Sequence, residues 1–308
     1  MNIYEILEDI KSPRRKKVIL DCDTHNEIDD QYAIAYVLGR SDVFEVLAMT
    51  AEHFHCGKDG DLARGMEECY LEFFRVMEKC GKVGVCPVYR GATTRISEDW
   101  PLLRPVDTDA SRAIIKHVHE AGETVYILAT GAITNVTSAI MLDPTIKDKI
   151  CVIWLGGNCF EWEDTIDECN LWGDYTAGQI LINSGVNLIQ LPANGAPGNG
   201  TKALFISQTD FEANFIGDSP AVRFFRDELP FEMHDPETEP VYVHVIWDMA
   251  APAVLTLPEA FDFSVIPAPI FADDRHYAFD RSRHKTVYMN KLDPKVILED
   301  MYRVINSL

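Results

Sequence analysis

The 308-residue chain predicts an α/β fold, a mostly parallel, doubly wound, Rossmann-like sheet with helices on both faces. Two observations carry that expectation. Short runs such as ICVIWL at Ile150–Leu155 are apolar from end to end, which suits strands covered on both faces. Between these runs lie longer segments whose apolar residues recur at helical spacing, the alternation that builds parallel sheets.

Taken in order, Lys17–Leu20 reads as a buried strand, followed by an acidic loop and a helix at Gln31–Leu38 that Gly39 stops. Val43–Thr50 is the next strand. From Leu62, the positions Met66, Cys69, Phe73, Val76, Met77 and Cys80 place one face of a helix against the sheet. A strand at Val83–Tyr89, a helix at Ala110–Ala121 and a strand at Thr124–Thr130 follow. Next come a helix at Thr134–Leu142 ended by Asp143–Pro144, the strand Ile150–Leu155, a helix at Asp174–Asn183 and a strand at Val186–Leu191. After about residue 200 the pattern loosens. Glu228–Pro240 is acidic, holds three prolines and lacks periodicity, so it reads as a surface loop or lid. With no linker-like stretch and no internal repeat, the expected organisation is an N-terminal extension over 1–16 and one catalytic domain over 17–308.

Lys and Arg number 28 against 49 Asp and Glu, a formal net charge of −21. Neutralising phosphates or anionic lipid needs clustered Lys and Arg, so nucleic-acid and membrane-surface partners are not expected. The eight cysteines form no CxxC pair and sit mostly in apolar segments, which reads as reduced core thiols. The first residues are charged throughout and lack the apolar stretch of a secretory leader, so the expected location is cytoplasmic.

The most informative segment is VILDCDTHNEIDDQYAIAY, which crowds Asp21, Asp23, Glu27, Asp29 and Asp30 between a strand end and a helix start. Open α/β sheets bind ligands at that point. Helix-dipole stabilisation of Asp29 and Asp30, about 0.3–1 kcal/mol, is small beside the cost of crowding carboxylates in a cleft. A bound divalent cation removes the conflict, and an all-oxygen donor set suits Ca²⁺ or Mg²⁺. Taken alone, DCDT after a buried strand also fits a Mg²⁺-dependent phosphatase of the haloacid-dehalogenase type, with Asp21 as nucleophile.

Further segments bear on the choice: PVYRGA at Pro87–Ala92, TVYILATGAITN from Thr124, WLGGN ending at Asn158, ECNLWGDYTAG from Glu168, and IWDMAAPAVL at Ile246–Leu255. With the acidic loop, and in this order over roughly residues 17–260, they resemble the calcium-dependent nucleoside hydrolase family. The resemblance implies that fold and hydrolysis of the N-glycosidic bond of a ribonucleoside or related ribosyl compound. It implies Ca²⁺ held by Asp23, Asp30, the Thr130 carbonyl and Asp248, with Asp29 facing the ribose. Asp21 would support the loop from behind by accepting backbone hydrogen bonds. Asp23 would take the proton of the attacking water, and Glu168, Asn170 and Asn158 would hold the sugar. The resemblance also implies a dimer or tetramer, for which Asp262–Leu308 offers surface. A relative that binds calcium and ribose without turnover is the non-catalytic alternative.

Two departures from the family pattern stand out. Five residues, Thr24–Ile28, separate Asp23 from the Asp pair where three are commonest, so His25, Asn26 or Glu27 can enter the sugar site. Trp247 stands where many members place a histidine acid before the last calcium aspartate. Tryptophan cannot protonate a leaving base but can stack on a purine, as in purine-specific members, with Trp100 or Trp162 as a second face. A packing role beneath the sheet is the other reading of Trp247. His53 and His55, in AEHFHCG, are expected to contact the ribose or the leaving group, or simply to pack their loop, while His234, His276, Arg275 and Arg281 carry no specific signal.

Overall fold

The structure is a computed structural model that describes residues 1–55, 60–96, 103–162, 165–196, 198–230 and 243–308. Six parallel strands lead into its central sheet: β1 (Lys16–Cys22), β2 (Phe44–Ala51), β3 (Val88–Tyr89), β4 (Val125–Ala129), β5 (Ile150–Leu155) and β6 (Asn187–Leu191). Their spatial order is β3-β2-β1-β4-β5-β6, continued by the strand Lys285–Leu292, parallel to β6, and by Phe261–Pro267, antiparallel at the edge. The chain winds outward from β1 to β3 and then returns to place β4 on the other side of β1. This reversal opens a crevice at the carboxyl ends of β1 and β4, the usual ligand position in such sheets.

Alternation along the strands feeds two cores. Val18, Leu20 and Cys22 face one, with Tyr32, Tyr36, Phe73 and Ile297, while Ile19, Ile127 and Val152 face the other, with Ile114, Val136 and Leu181. The helices α2 (Asp29–Gly39), α3 (Leu62–Lys79), α4 (Asp109–Ala121), α5 (Thr134–Leu142) and α7 (Tyr175–Asn183) follow the predicted positions within two residues. The α2 helix buries every residue from Asp29 to Leu38, so its acidic first turn lies inside the protein.

The predicted strand at Val83–Tyr89 shrinks to Val88–Tyr89. Gly81 and Gly84 take positive φ, and a turn closes from the Val85 amide to the Lys82 carbonyl, leaving Val83 and Val85 exposed. Local apolar character at the end of a helix reflected surface, with no partner strand beside it.

Residues 1–16 hold the helix α1 (Ile3–Ile10), capped by an Asn2–Glu5 capping box. Its Ile3, Ile6 and Ile10 enter the first core. Fully buried Lys16 donates from Nζ to the Asp9 carbonyl (2.6 Å), the Ser12 carbonyl (3.0 Å) and Ser12 Oγ (2.7 Å), and burial pushes its pKa down to about 8. Lys16→Met removes these three hydrogen bonds and is expected to cost about 2–3 kcal/mol, read from the urea midpoint. An unchanged midpoint would show that α1 is held by its isoleucines alone.

Among the described residues, no helix is long and apolar enough to cross a membrane. Cys22, Cys69, Cys80, Cys86, Cys151 and Cys159 are buried free thiols, as expected of core positions. Cys169 departs from that expectation and is exposed. Cys56, Trp100, His234 and residues 231–240 of the acidic loop lie outside the described residues.

Candidate active site

The crevice between β1 and β4 contains a cavity of about 180 Å³ lined largely by acidic side chains. Asp23 enters it from the loop after β1, Asp29 and Asp30 from the first turn of α2, Thr130 from the end of β4, and Asp248 from the turn before the helix Ala250–Thr256. Glu168 and Asn170 also line it, and Trp247 is a half-buried wall residue.

The four aspartates are each no more than 5% exposed. One carboxylate oxygen from each of Asp29, Asp30 and Asp248 lies within 4.8 Å of the others, the spacing of a cation's ligand shell. Asp30 accepts a hydrogen bond from Thr130 Oγ1 (2.7 Å), and Asp29 accepts one from the Asp248 amide (3.3 Å). Asp23 accepts from Asn26 Nδ2 (3.0 Å). Gly131 lets the β4 loop pack this closely, since a Cβ there would stand 3.0 Å from the Asp23 nitrogen.

Burial, then the charges of neighbouring carboxyls, pushes all four pKa values up. Asp30 rises to about 7 and Asp29 to about 8, while Asp23 and Asp248 rise well above the carboxylate range. Among the described residues, no Lys or Arg lines the cavity to compensate. A hard divalent cation is the group that such an oxygen-only, uncompensated donor set fits.

Glu168 accepts backbone N–H bonds from Gly157 (3.0 Å), Asn170 (2.8 Å) and Leu171 (2.6 Å) and so caps the helix α6 (Cys169–Gly173). Burial nevertheless pushes its pKa up to about 7. Asn170 Nδ2 donates to the carbonyls of Thr130 (3.0 Å) and Leu155 (3.1 Å), tying together the ends of β4 and β5.

Asp21 lies beneath the cavity and is fully buried. Its Oδ1 accepts from Thr50 Oγ1 (2.6 Å) and Asn135 Nδ2 (3.0 Å), so side chains take the place of the expected backbone donors. The Asp21 carbonyl accepts the Thr130 amide (2.9 Å), which locks β1 to the β4 loop. A residue so enclosed cannot reach a phosphoryl group, and this removes the structural basis of the phosphatase alternative.

Three expected substrate contacts fall elsewhere. Asn158 is buried and does not face the cavity. Its amide donates to the Thr165 and Asp167 carbonyls while its oxygen accepts from Asn194, so it organises a loop. His53 is buried beside Thr134, Nε2 to Oγ1 3.1 Å, and burial pushes its pKa down to about 3. His55 packs on Trp172 and meets Arg95 away from the cavity. An alternating H-x-H after a strand shows nothing of which way that loop turns.

Of the extra loop residues, Asn26 and Glu27 line the cavity, whereas His25 lies 3.6 Å from Glu68. Trp162 borders a separate apolar hollow with Asn199 and Phe205. Arg275 pairs with Asp167, and His276 with Asp274. Sequence reasoning missed Cys169, Leu155 and Asn194 as wall residues and Glu52 as a fully buried acid beside Asp21. For Glu52, an acid directly after an apolar strand was the available signal.

A doubly wound sheet with a carboxylate-rich cavity at its switch point defines an α/β protein with its candidate ligand site at the strand ends. A sequence profile of the inosine-uridine preferring nucleoside hydrolases matches residues 18–295, and the chain belongs to that family. Relatives include the pyrimidine-specific ribonucleoside hydrolase RihB of Escherichia coli (strain SE11), 24% identical over 58% of this chain and 59% of that protein. A probable uridine nucleosidase 1 of Oryza sativa subsp. japonica is 32% identical over 29% of this chain and 28% of that protein. The chain thus aligns with less than two thirds of these relatives' length. The fold is that of a plant nucleoside hydrolase, PpNRh1, with a TM-score of 0.76 at 20% identity over 96% of this chain and 100% of that one. A purine-preferring ribonucleoside hydrolase of Gardnerella vaginalis superposes with a TM-score of 0.73 at 19% identity over 95% and 98%.

Proposed function

We propose that the protein hydrolyses the N-glycosidic bond of ribonucleosides, with Ca²⁺ in the acidic cavity and a preference for purines. The observation that carries this reading is the convergence of Asp23, Asp29, Asp30 and Asp248 on one cavity that Glu168 and Asn170 also line. A cation held by Asp23, Asp30, Asp248 and the Thr130 carbonyl would fix the ribose hydroxyls and the attacking water and ease that water's deprotonation.

Asp23 is the base that takes the water's proton, from its place on the cavity wall beside Asp29, Asp30 and Asp248. Asp29 hydrogen-bonds a ribose hydroxyl. The surrounding carboxylates stabilise the positive charge that develops on the sugar as the bond to the base breaks. Glu168 and Asn170 hold the far side of the ribose. Trp247 stacks on the departing base.

The purine preference rests on Trp247, which lines the cavity where a histidine acid is common. Trp247→Ala is expected to lower kcat for inosine by about tenfold or more with a smaller change in KM. An unchanged kcat would reduce Trp247 to a wall of the cavity. The reading as a whole is tested by free-ribose release from inosine, guanosine, uridine and cytidine in calcium, alongside phosphate release from sugar phosphates. Ribose release without phosphate release supports it. Calcium-dependent binding of a ribose-like iminosugar with no ribose release from any nucleoside would favour the non-catalytic relative.

A further inference from the structure

We propose that the cavity favours ribosides whose flat base carries a fixed positive charge, such as ribosylpyridinium compounds, and that Glu27 is the residue that selects for that charge. The proposal rests on the hydrolytic reading above. Six carboxyl side chains line the cavity, Asp23, Glu27, Asp29, Asp30, Glu168 and Asp248, and no Lys, Arg or His is among the described residues lining it. One divalent cation balances two of those charges at most.

Glu27 differs from the others. It belongs to the lengthened loop, and its side chain is 46% exposed at the rim, while the aspartates are enclosed. Its Oε2 lies 3.5 Å from Nε2 of His244, on the short strand Val243–Val245 that runs directly into Trp247. The loop carboxylate and the indole both line this one cavity. An aromatic face beside a carboxylate recognises a flat cation through both its ring quadrupole and its charge. Stacking on Trp247 serves a neutral purine equally, so the charge is what Glu27 adds.

The chemistry agrees. A neutral base must gain a proton as it leaves, and the position that often supplies one is Trp247 here. A cationic base needs none. The C1′–N bond breaks with its electron pair passing to the ring nitrogen, which cancels the positive charge, and the base departs neutral. The water oxygen bonds to C1′ and its proton passes to the Asp23 carboxylate. Ribose, neutral base and one proton are the products, with no further reactant.

The test compares 1-ribosylpyridinium with inosine, in calcium, for the unmodified protein and for Glu27→Gln and Glu27→Asp. The ratio of kcat/KM, cation over inosine, is expected to fall about 5- to 10-fold in Glu27→Gln, mostly through KM, and to recover in part in Glu27→Asp. Added salt should lower the same ratio in the unmodified protein. A ratio that neither substitution nor salt moves would overturn the proposal while leaving the hydrolytic reading intact. Turnover of neither compound would overturn the hydrolytic reading. Calorimetry would then decide the proposal: tighter binding of the cation that Glu27→Gln removes supports it, and equal binding contradicts it.

Discussion

Asp23→Asn is expected to lower kcat for ribose release by about 10²- to 10⁴-fold, the range that removing a general base commonly costs. Folding should survive, because the substituted side chain keeps the shape of Asp23 and an oxygen in place. Asn26 Nδ2 donates to the Asp23 carboxylate at 3.0 Å, and the carbonyl oxygen of the introduced amide can accept the same bond. In calcium-free protein the substitution also removes one of four crowded, buried carboxyls, so the thermal midpoint should hold or rise. The paired readout separates chemistry from structure. Full activity in Asp23→Asn would sink its role as base, and loss of both activity and the folded state would assign Asp23 to architecture.

The second large effect concerns pH and calcium together. Asp29 and Asp30 have folded pKa values of about 8 and about 7, raised by burial first and by the charges around them next. A carboxyl with a raised pKa binds more protons folded than unfolded, so its stabilising contribution is full below about pH 4 and is lost as pH rises through the folded value. Calcium-free protein should therefore lose stability steadily between pH 5 and 8. Depressed carboxyls such as Asp9, tied to Arg14, act in the opposite sense and only at lower pH. Calcium replaces the protons, so saturating calcium should abolish the decline, and calcium at about 100 times its Kd should add about 2.7 kcal/mol. Urea titrations at pH 5, 6.5 and 8, with calcium and with a chelator, measure both slopes. A flat calcium-free profile would mean that the cluster is not strained, and no gain from calcium would remove the reason for a metal.

Most of the framework was legible because it depends on local pattern. Ile150–Leu155 and Thr134–Leu142 appear in the structure with the bounds their sequence predicts, since an all-apolar run and a helix ended by Asp-Pro are signals read within one segment. The switch point was legible for the same reason, as five acids between a strand and a helix have few other uses. What local sequence does not encode is direction. His53 and His55 follow a strand end as Asp23 does, yet they turn away from the cavity, His53 toward Thr134 and His55 toward Trp172. Asn158 sits in a loop near the site, but its hydrogen-bonding capacity is spent on Thr165, Asp167 and Asn194. Cys169 reads as one more apolar thiol, yet Glu168 caps a helix of only one turn and thereby leaves the next side chain at the cavity wall. Asn26 and Glu27 enter the cavity because the lengthened loop closes a turn, from the Asn26 amide to the Asp23 carbonyl at 2.8 Å. That closure is a tertiary outcome, and the added length alone suggested only that the loop had changed.

The central claim is that one calcium ion organises this cavity for attack on a riboside. A crystal structure grown with calcium and a ribose-like iminosugar tests it most directly. The account predicts density for a single cation bonded to Asp23, Asp30, Asp248 and the Thr130 carbonyl, with the sugar hydroxyls completing its shell and Glu168 and Asn170 on the far side of the ring. A ligand seated in the cavity with no cation between these carboxylates would contradict it, as would a cation bound to other residues.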